Sequence, residues 1–91
     1  MSMEKLAECR KKIDVLDLKL LALLNERTQI VEEIGRIKHL LSLPIYEPKR
    51  EEDVFRNVTT QNSGPLSGEA VKRVFERIID EMRNIQKEEM H

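Results

Sequence analysis

Two cations stand where apolar residues are expected. Arg27 follows Leu23 and Leu24 and precedes Ile30 and Val31, and Lys38 follows Ile34, so both fall on the apolar stripe of a helical segment. They are 11 residues apart. At ~100° per residue this spacing returns to within roughly 20° of the same direction, about three turns on. Two long side chains so placed can converge on something held between them. Gln86 repeats the pattern, four residues after Met82 and seven after Ile79. Burying two cations and an amide costs free energy unless each finds a partner. Asp14, Asp17 and Glu51 are candidate counter-charges. In the alternative reading, Arg27 and Lys38 snorkel at the edge of the stripe, and Gln86 is a solvated amide near the end of the chain. Arg10 points ~80–100° away from the other two cations and lies ~25 Å from Arg27 along the axis, so it cannot join them within one chain. In an antiparallel dimer it could enter the partner's site.

Other chemistries find little support. Cys9 is the single cysteine, so an internal disulfide is excluded and reducing cytosol is the expected compartment. No histidine lies near it in sequence, as a nucleophilic thiol would need. His39 and His91 have no Cys, Asp or Glu partners at ligand spacing on a shared face, so no metal site is expected. The formal net charge of -1 gives no bulk attraction to nucleic acid or an acidic membrane, and any basic site must be local. The segment Met1-Ser2-Met3-Glu4 carries no apolar signal core, and no apolar run approaches the ~18 residues of a membrane span. A cytoplasmic location is the expectation.

The elements that must position these residues are helices. Charged residues make up 36% of the chain and aromatics 3%, a mix that favours helix over sheet. The first helix is predicted from about Glu4 to about Leu41. Its apolar residues, Leu6, Ile13, Leu16, Leu20, Leu23, Leu24, Ile30, Val31, Ile34, Ile37 and Leu41, trace one face. Gly35 is tolerated there at a cost of ~1 kcal/mol. Ser42-Leu43-Pro44 ends the helix, because the residue before proline avoids the helical region. Pro48 suits a first helical position and opens a second helix to about Gln61, with Val54, Phe55 and Val58 as its apolar side. Asn62-Ser63-Gly64-Pro65 is a turn. Ser67 reads as the N-cap of a third helix, about Gly68 to Glu88, whose inner face is Val71, Val74, Phe75, Ile78, Ile79, Met82 and Ile85.

A first helix of ~37 residues is ~55 Å long, against a radius of gyration near 12 Å for a compact chain of this size. The two shorter helices cannot cover its whole stripe. A second copy of the chain is the simplest cover. The predicted fold is all-α: three helices per chain in an intertwined homodimeric bundle, with residues 1–91 as a single domain.

These residues resemble a family. The segments Arg10-Lys11-Lys12-Ile13-Asp14, Leu16-Asp17 and Leu20-Leu21-Ala22-Leu23-Leu24-Asn25-Glu26-Arg27 are similar to the first helix of the AroQ-type, all-helical chorismate mutases. The similarity continues through Ile34-Gly35-Arg36-Ile37-Lys38, Tyr46-Glu47-Pro48-Lys49-Arg50-Glu51 and Val74-Phe75-Glu76-Arg77-Ile78-Ile79 to Gln86. It spans nearly the whole chain, in order, as in a monofunctional member or a separated mutase domain.

The resemblance implies an isomerase that converts chorismate to prephenate by a pericyclic rearrangement, without cofactor or metal. It implies two equivalent sites shared between subunits. Arg10 of one subunit would meet a substrate carboxylate in the other's site, and Arg27 would hold a carboxylate within its own chain. Lys38 and Gln86 would donate to the ether oxygen of the breaking bond. Glu51, helped by Glu47, would meet the ring hydroxyl, and Arg50 would brace the acid or the substrate. Met82 stands where the family often has a small hydroxyl residue, which leaves that carboxylate contact missing or supplied by backbone. Glu47 stands where aspartate is frequent. An isochorismate pyruvate lyase has the same fold and a similar pocket, although Glu51 suits the chorismate hydroxyl. A non-catalytic helical dimer partnering a shikimate-pathway enzyme is the reading from another class.

Overall fold

The computed structural model describes residues 2–89, which form three α-helices and, among the described residues, no strand: α1 (Met3–Leu40), α2 (Pro48–Gln61) and α3 (Gly68–Glu88). The all-α expectation is met, and α2 and α3 start and stop where the sequence placed them. The Ser67 hydroxyl accepts a hydrogen bond from the Ala70 amide at 3.1 Å, so the predicted N-cap forms. Pro48 opens α2.

The end of α1 differs in its cause. Ser42 takes the left-handed conformation at φ 55°. The Leu43 amide donates to the Lys38 carbonyl at 2.8 Å and the Ser42 amide to the His39 carbonyl at 3.2 Å. This paired cap satisfies two terminal carbonyls and turns the chain ahead of Pro44. Serine carries the usual left-handed penalty of roughly 1–2 kcal/mol.

The chain divides into two units, one reaching to Ile30 and the other starting at Val31. The first contains most of α1. Its apolar residues Leu6, Ile13, Leu16, Leu20, Leu23 and Ile30 are exposed, and Leu24 is half-buried.

The second unit holds the core. Val31 from the end of α1 is buried, as are Val71, Ile79 and Met82 from α3. Val54, Phe55 and Val58 of α2, which packs on α3, are half-buried. Two expectations need correction. Ile34, Ile37 and Leu41 are exposed, whereas Val31, Gly35 and Lys38 are buried. At ~100° per residue the exposed three lie roughly 60–120° round from Val31, so this stretch of α1 carries two apolar faces rather than one. Val74 is also exposed, because it sits ~60° off Val71 at the rim of the α3 stripe.

Gly35 has a packing role. A Cβ at this position would meet Glu89 Cβ at 3.0 Å and Gln86 Cα at 3.3 Å. Its missing side chain lets the last turns of α3 lie directly on the end of α1, which brings Gln86 to Lys38.

Candidate active site

Among the described residues Lys38 is the charged side chain that is buried, at 7% exposure. Its Nζ donates to the Ile45 carbonyl at 2.8 Å and to Gln86 Oε1 at 2.8 Å, and it pairs with Glu47 Oε1 at 2.6 Å. An ammonium has three donors, and all three have acceptors here. That satisfaction is what makes a buried cation tolerable. Lys38 therefore does not snorkel at the stripe's edge. The cap at Ser42 turns the following loop back over Lys38, which delivers the Ile45 carbonyl and Glu47. The Glu47 side chain is about half exposed (49%), so the cluster is closed on its protein side and open toward Glu47. Because Gln86 uses its oxygen on Lys38, its amide nitrogen is the end left to donate.

One turn into α2, Glu51 faces a different cation. Arg83 Nη2 donates to Glu51 Oε1 at 2.8 Å and Oε2 at 2.7 Å, and Arg83 Nε donates to Oε2 at 3.1 Å. Arg83 Nη1 also bonds Asp80 Oδ1 at 3.2 Å. The guanidinium lies 5.3 Å from the centroid of the Tyr46 ring. The hydrogen-bonded Glu51 carboxylate, with added pull from its charge and that of Asp80, holds the Arg83 pKa above its ordinary value against a weaker opposing effect of burial. Ile45, Tyr46, Arg83 and Lys87 line a hollow of about 460 Å³.

The sequence-predicted residues fall as follows. Lys38, Gln86 and Glu47 are in direct contact. Glu51 lies on α2 in the bidentate pair with Arg83. Met82 is buried in the core one turn before Gln86, and Arg50 is exposed. In the first unit Arg10 is exposed and Arg27 half-buried. The counter-charge on Lys38 is Glu47, where the sequence had suggested Asp14, Asp17 or Glu51. Arg83 went unnoticed because it stands one residue past Met82, off the apolar stripe, and its acid lies on another helix. Its only local signal is the i,i+3 pairing with Asp80.

Cys9 and His39 are exposed, and His91 lies outside the described residues. Among the described residues no group of three or more His, Cys, Asp or Glu side chains could hold a metal ion, and no helix is long and apolar enough to cross a membrane.

A buried lysine tied to a glutamine from another helix, with a carboxylate at the mouth, gathers three of the residues named from the resemblance. The family model for chorismate mutase type II matches residues 9–87. The chain belongs to this family. It is similar to the bifunctional chorismate mutase/prephenate dehydratase of Aquifex aeolicus, at 37% identity over 89 residues, covering 93% of this chain and 25% of the relative. This chain thus spans about a quarter of that relative's length. Similarity to the chorismate mutase of Methanocaldococcus jannaschii is 34% identity over 86 residues, covering 93% of this chain and 87% of the relative. Among solved structures, the chorismate mutase of Helicobacter pylori in complex with prephenate matches with a TM-score of 0.88 at 30% identity, covering 96% of this chain and 94% of that one. The match to that solved chorismate mutase agrees with the three-helix order of this chain.

Proposed function

We propose that this chain converts chorismate to prephenate as a homodimer. The observation that carries the reading is the buried Lys38 ammonium joined to Gln86. The reaction breaks one carbon–oxygen bond as a carbon–carbon bond forms within the same molecule. It needs no nucleophile, no proton transfer, no cofactor and no metal, so the protein's work is positioning and electrostatics.

Chorismate carries two carboxylates, and arginine's planar paired donors suit them. Arg27 in one chain and Arg10 from the partner clamp these groups and hold the enolpyruvyl arm over the ring. Negative charge grows on the ether oxygen in the transition state. Lys38 and the Gln86 amide nitrogen meet it in a place where water is scarce. To do so, Lys38 exchanges one present acceptor for the ether oxygen, and half-exposed Glu47 is the contact that yields most cheaply. Glu51, with Glu47 one turn before it, takes the ring hydroxyl, while Arg50 braces the acid or the substrate. Met82 offers no hydroxyl, so one carboxylate contact is either absent or supplied by backbone. A millionfold acceleration corresponds to ~8 kcal/mol, within reach of clamping plus one charged donor.

The exposed apolar residues of α1 support the dimer: leaving Ile13, Leu16, Leu20 and Leu23 in water forfeits burial that a second copy supplies. The lone Cys9 supports a reducing, cytoplasmic setting. Residues 1–91 act as one mutase domain, and the fused prephenate dehydratase of relatives points to a shikimate-pathway enzyme as the natural neighbour of its product. The relatives are named chorismate mutases, which favours this reading over an isochorismate pyruvate lyase or a non-catalytic dimer. Incubating the purified protein separately with chorismate and isochorismate tests it. Prephenate from chorismate is expected; salicylate and pyruvate from isochorismate, with no prephenate, would overturn it.

A further inference from the structure

Arg83 lies outside the set of residues that the proposed mechanism uses, yet it is the best-anchored arginine of the second unit. Its fork makes three contacts of 2.7–3.1 Å with Glu51, and Asp80 and the Tyr46 ring hold it from other directions. Both members of the pair are about three-quarters buried, with side-chain exposures of 26% and 22%. A solvated surface ion pair has neither this geometry nor this anchoring. A carboxylate rotates freely about its last bond unless a planar partner fixes it, and a bidentate guanidinium does so. With four lone-pair sites on two oxygens, Glu51 can satisfy the fork and still accept from a substrate hydroxyl.

We propose that Arg83 is a positioning residue: it fixes the plane of the Glu51 carboxylate so that an acceptor site is aimed at the ring hydroxyl of the substrate, and thereby sets selectivity for hydroxyl-bearing substrate. This rests on the chorismate mutase reading above. A lysine at position 83 keeps the charge but not the fork, so it does not restore the aim. Arg83 acts through Glu51 and does not touch the reacting atoms.

The test compares kcat/KM for chorismate with that for a chorismate analogue lacking the ring hydroxyl, in the native protein, Arg83→Met, Arg83→Lys, Glu51→Ala and the double variant Glu51→Ala/Arg83→Met. Arg83→Met is expected to lower chorismate kcat/KM roughly 10–100-fold while leaving the analogue nearly unchanged. Arg83→Lys should recover folding but little of the selectivity. In the Glu51→Ala background, Arg83→Met should have no further effect on chorismate. Equal falls for both substrates, full recovery in Arg83→Lys, or an undiminished effect in the Glu51→Ala background would assign Arg83 to a structural α2–α3 link and overturn the inference. A native protein that makes no prephenate would overturn the mutase reading and this inference together. Native turnover with an unchanged substrate ratio in the Arg83 variants would overturn the inference alone.

Discussion

Lys38 Nζ lies 2.8 Å from Gln86 Oε1, a hydrogen bond that joins residues 48 positions apart in the chain. It ties the last turn of α1 to the last turn of α3. The contact depends on how closely those two helix ends approach, and Gly35, one turn before Lys38, sets that approach.

Gly35→Ala therefore separates stability from activity. Alanine improves helix propensity by ~1 kcal/mol, but its Cβ would press on Gln86 Cα at 3.3 Å and Glu89 Cβ at 3.0 Å. Glu89 Cβ is fixed by its own backbone, so the backbone at both Gln86 and Glu89 must shift. Thermal unfolding should move by only a few degrees. Turnover should fall several-fold or more, because small misplacements of a catalytic donor are costly. Steady-state kinetics beside a melting curve checks both.

Lys38→Met removes the buried ammonium while keeping an apolar stem of similar length. It leaves no buried partner charge, since Glu47 is half exposed. The variant should fold and keep its helical content. Its kcat should drop by ~10²–10³-fold, the usual cost of losing one donor to developing negative charge.

Glu47→Gln probes the open side of the same cluster. The ion pair with Lys38 is short, at 2.6 Å, but one member is half in water, so screening limits its contribution to below ~1 kcal/mol. A small change in denaturant midpoint is expected. A loss above 3 kcal/mol would mean that Glu47 is the main compensation for the buried charge.

Ser67→Ala is a control remote from the chemistry. It removes the hydroxyl that caps α3 and should cost ~1 kcal/mol in unfolding free energy, with turnover intact.

Ile13→Glu tests assembly. In an isolated chain Ile13 is exposed, and a surface charge changes stability by less than ~0.5 kcal/mol. If a second copy covers that face, the same charge is buried. Sedimentation should then show a shift from dimer toward monomer, with activity lost in parallel because Arg10 no longer reaches its partner's site.

The helices were legible in the sequence because their signals are local: Pro48, Ser67 and the turn at Asn62–Pro65 act within a few residues of the boundaries they mark. Lys38 and Gln86 stood out for a similar reason, since a polar residue at an apolar helical position is visible from spacing. Pairings across helices were not legible. That Arg83 grips Glu51 depends on the axial offset between helices, to which periodicity is blind, and that Glu47 meets Lys38 depends on how the left-handed cap at Ser42 turns the loop back. The end of α1 was placed almost correctly for an incomplete reason: a left-handed serine carries no signature as strong as a glycine would. The second apolar face at Ile34, Ile37 and Leu41 merged with the first because both satisfy gaps of three and four.

In the proposed mechanism a buried lysine cation, held in place by Gln86, lowers the barrier to rearrangement. Its most direct measurement is the rate of prephenate formation from saturating chorismate, native protein against Lys38→Met, at matched and verified dimer concentration. A fall of at least ~100-fold with folding and assembly unchanged is the predicted result. Comparable rates for the two proteins would contradict it.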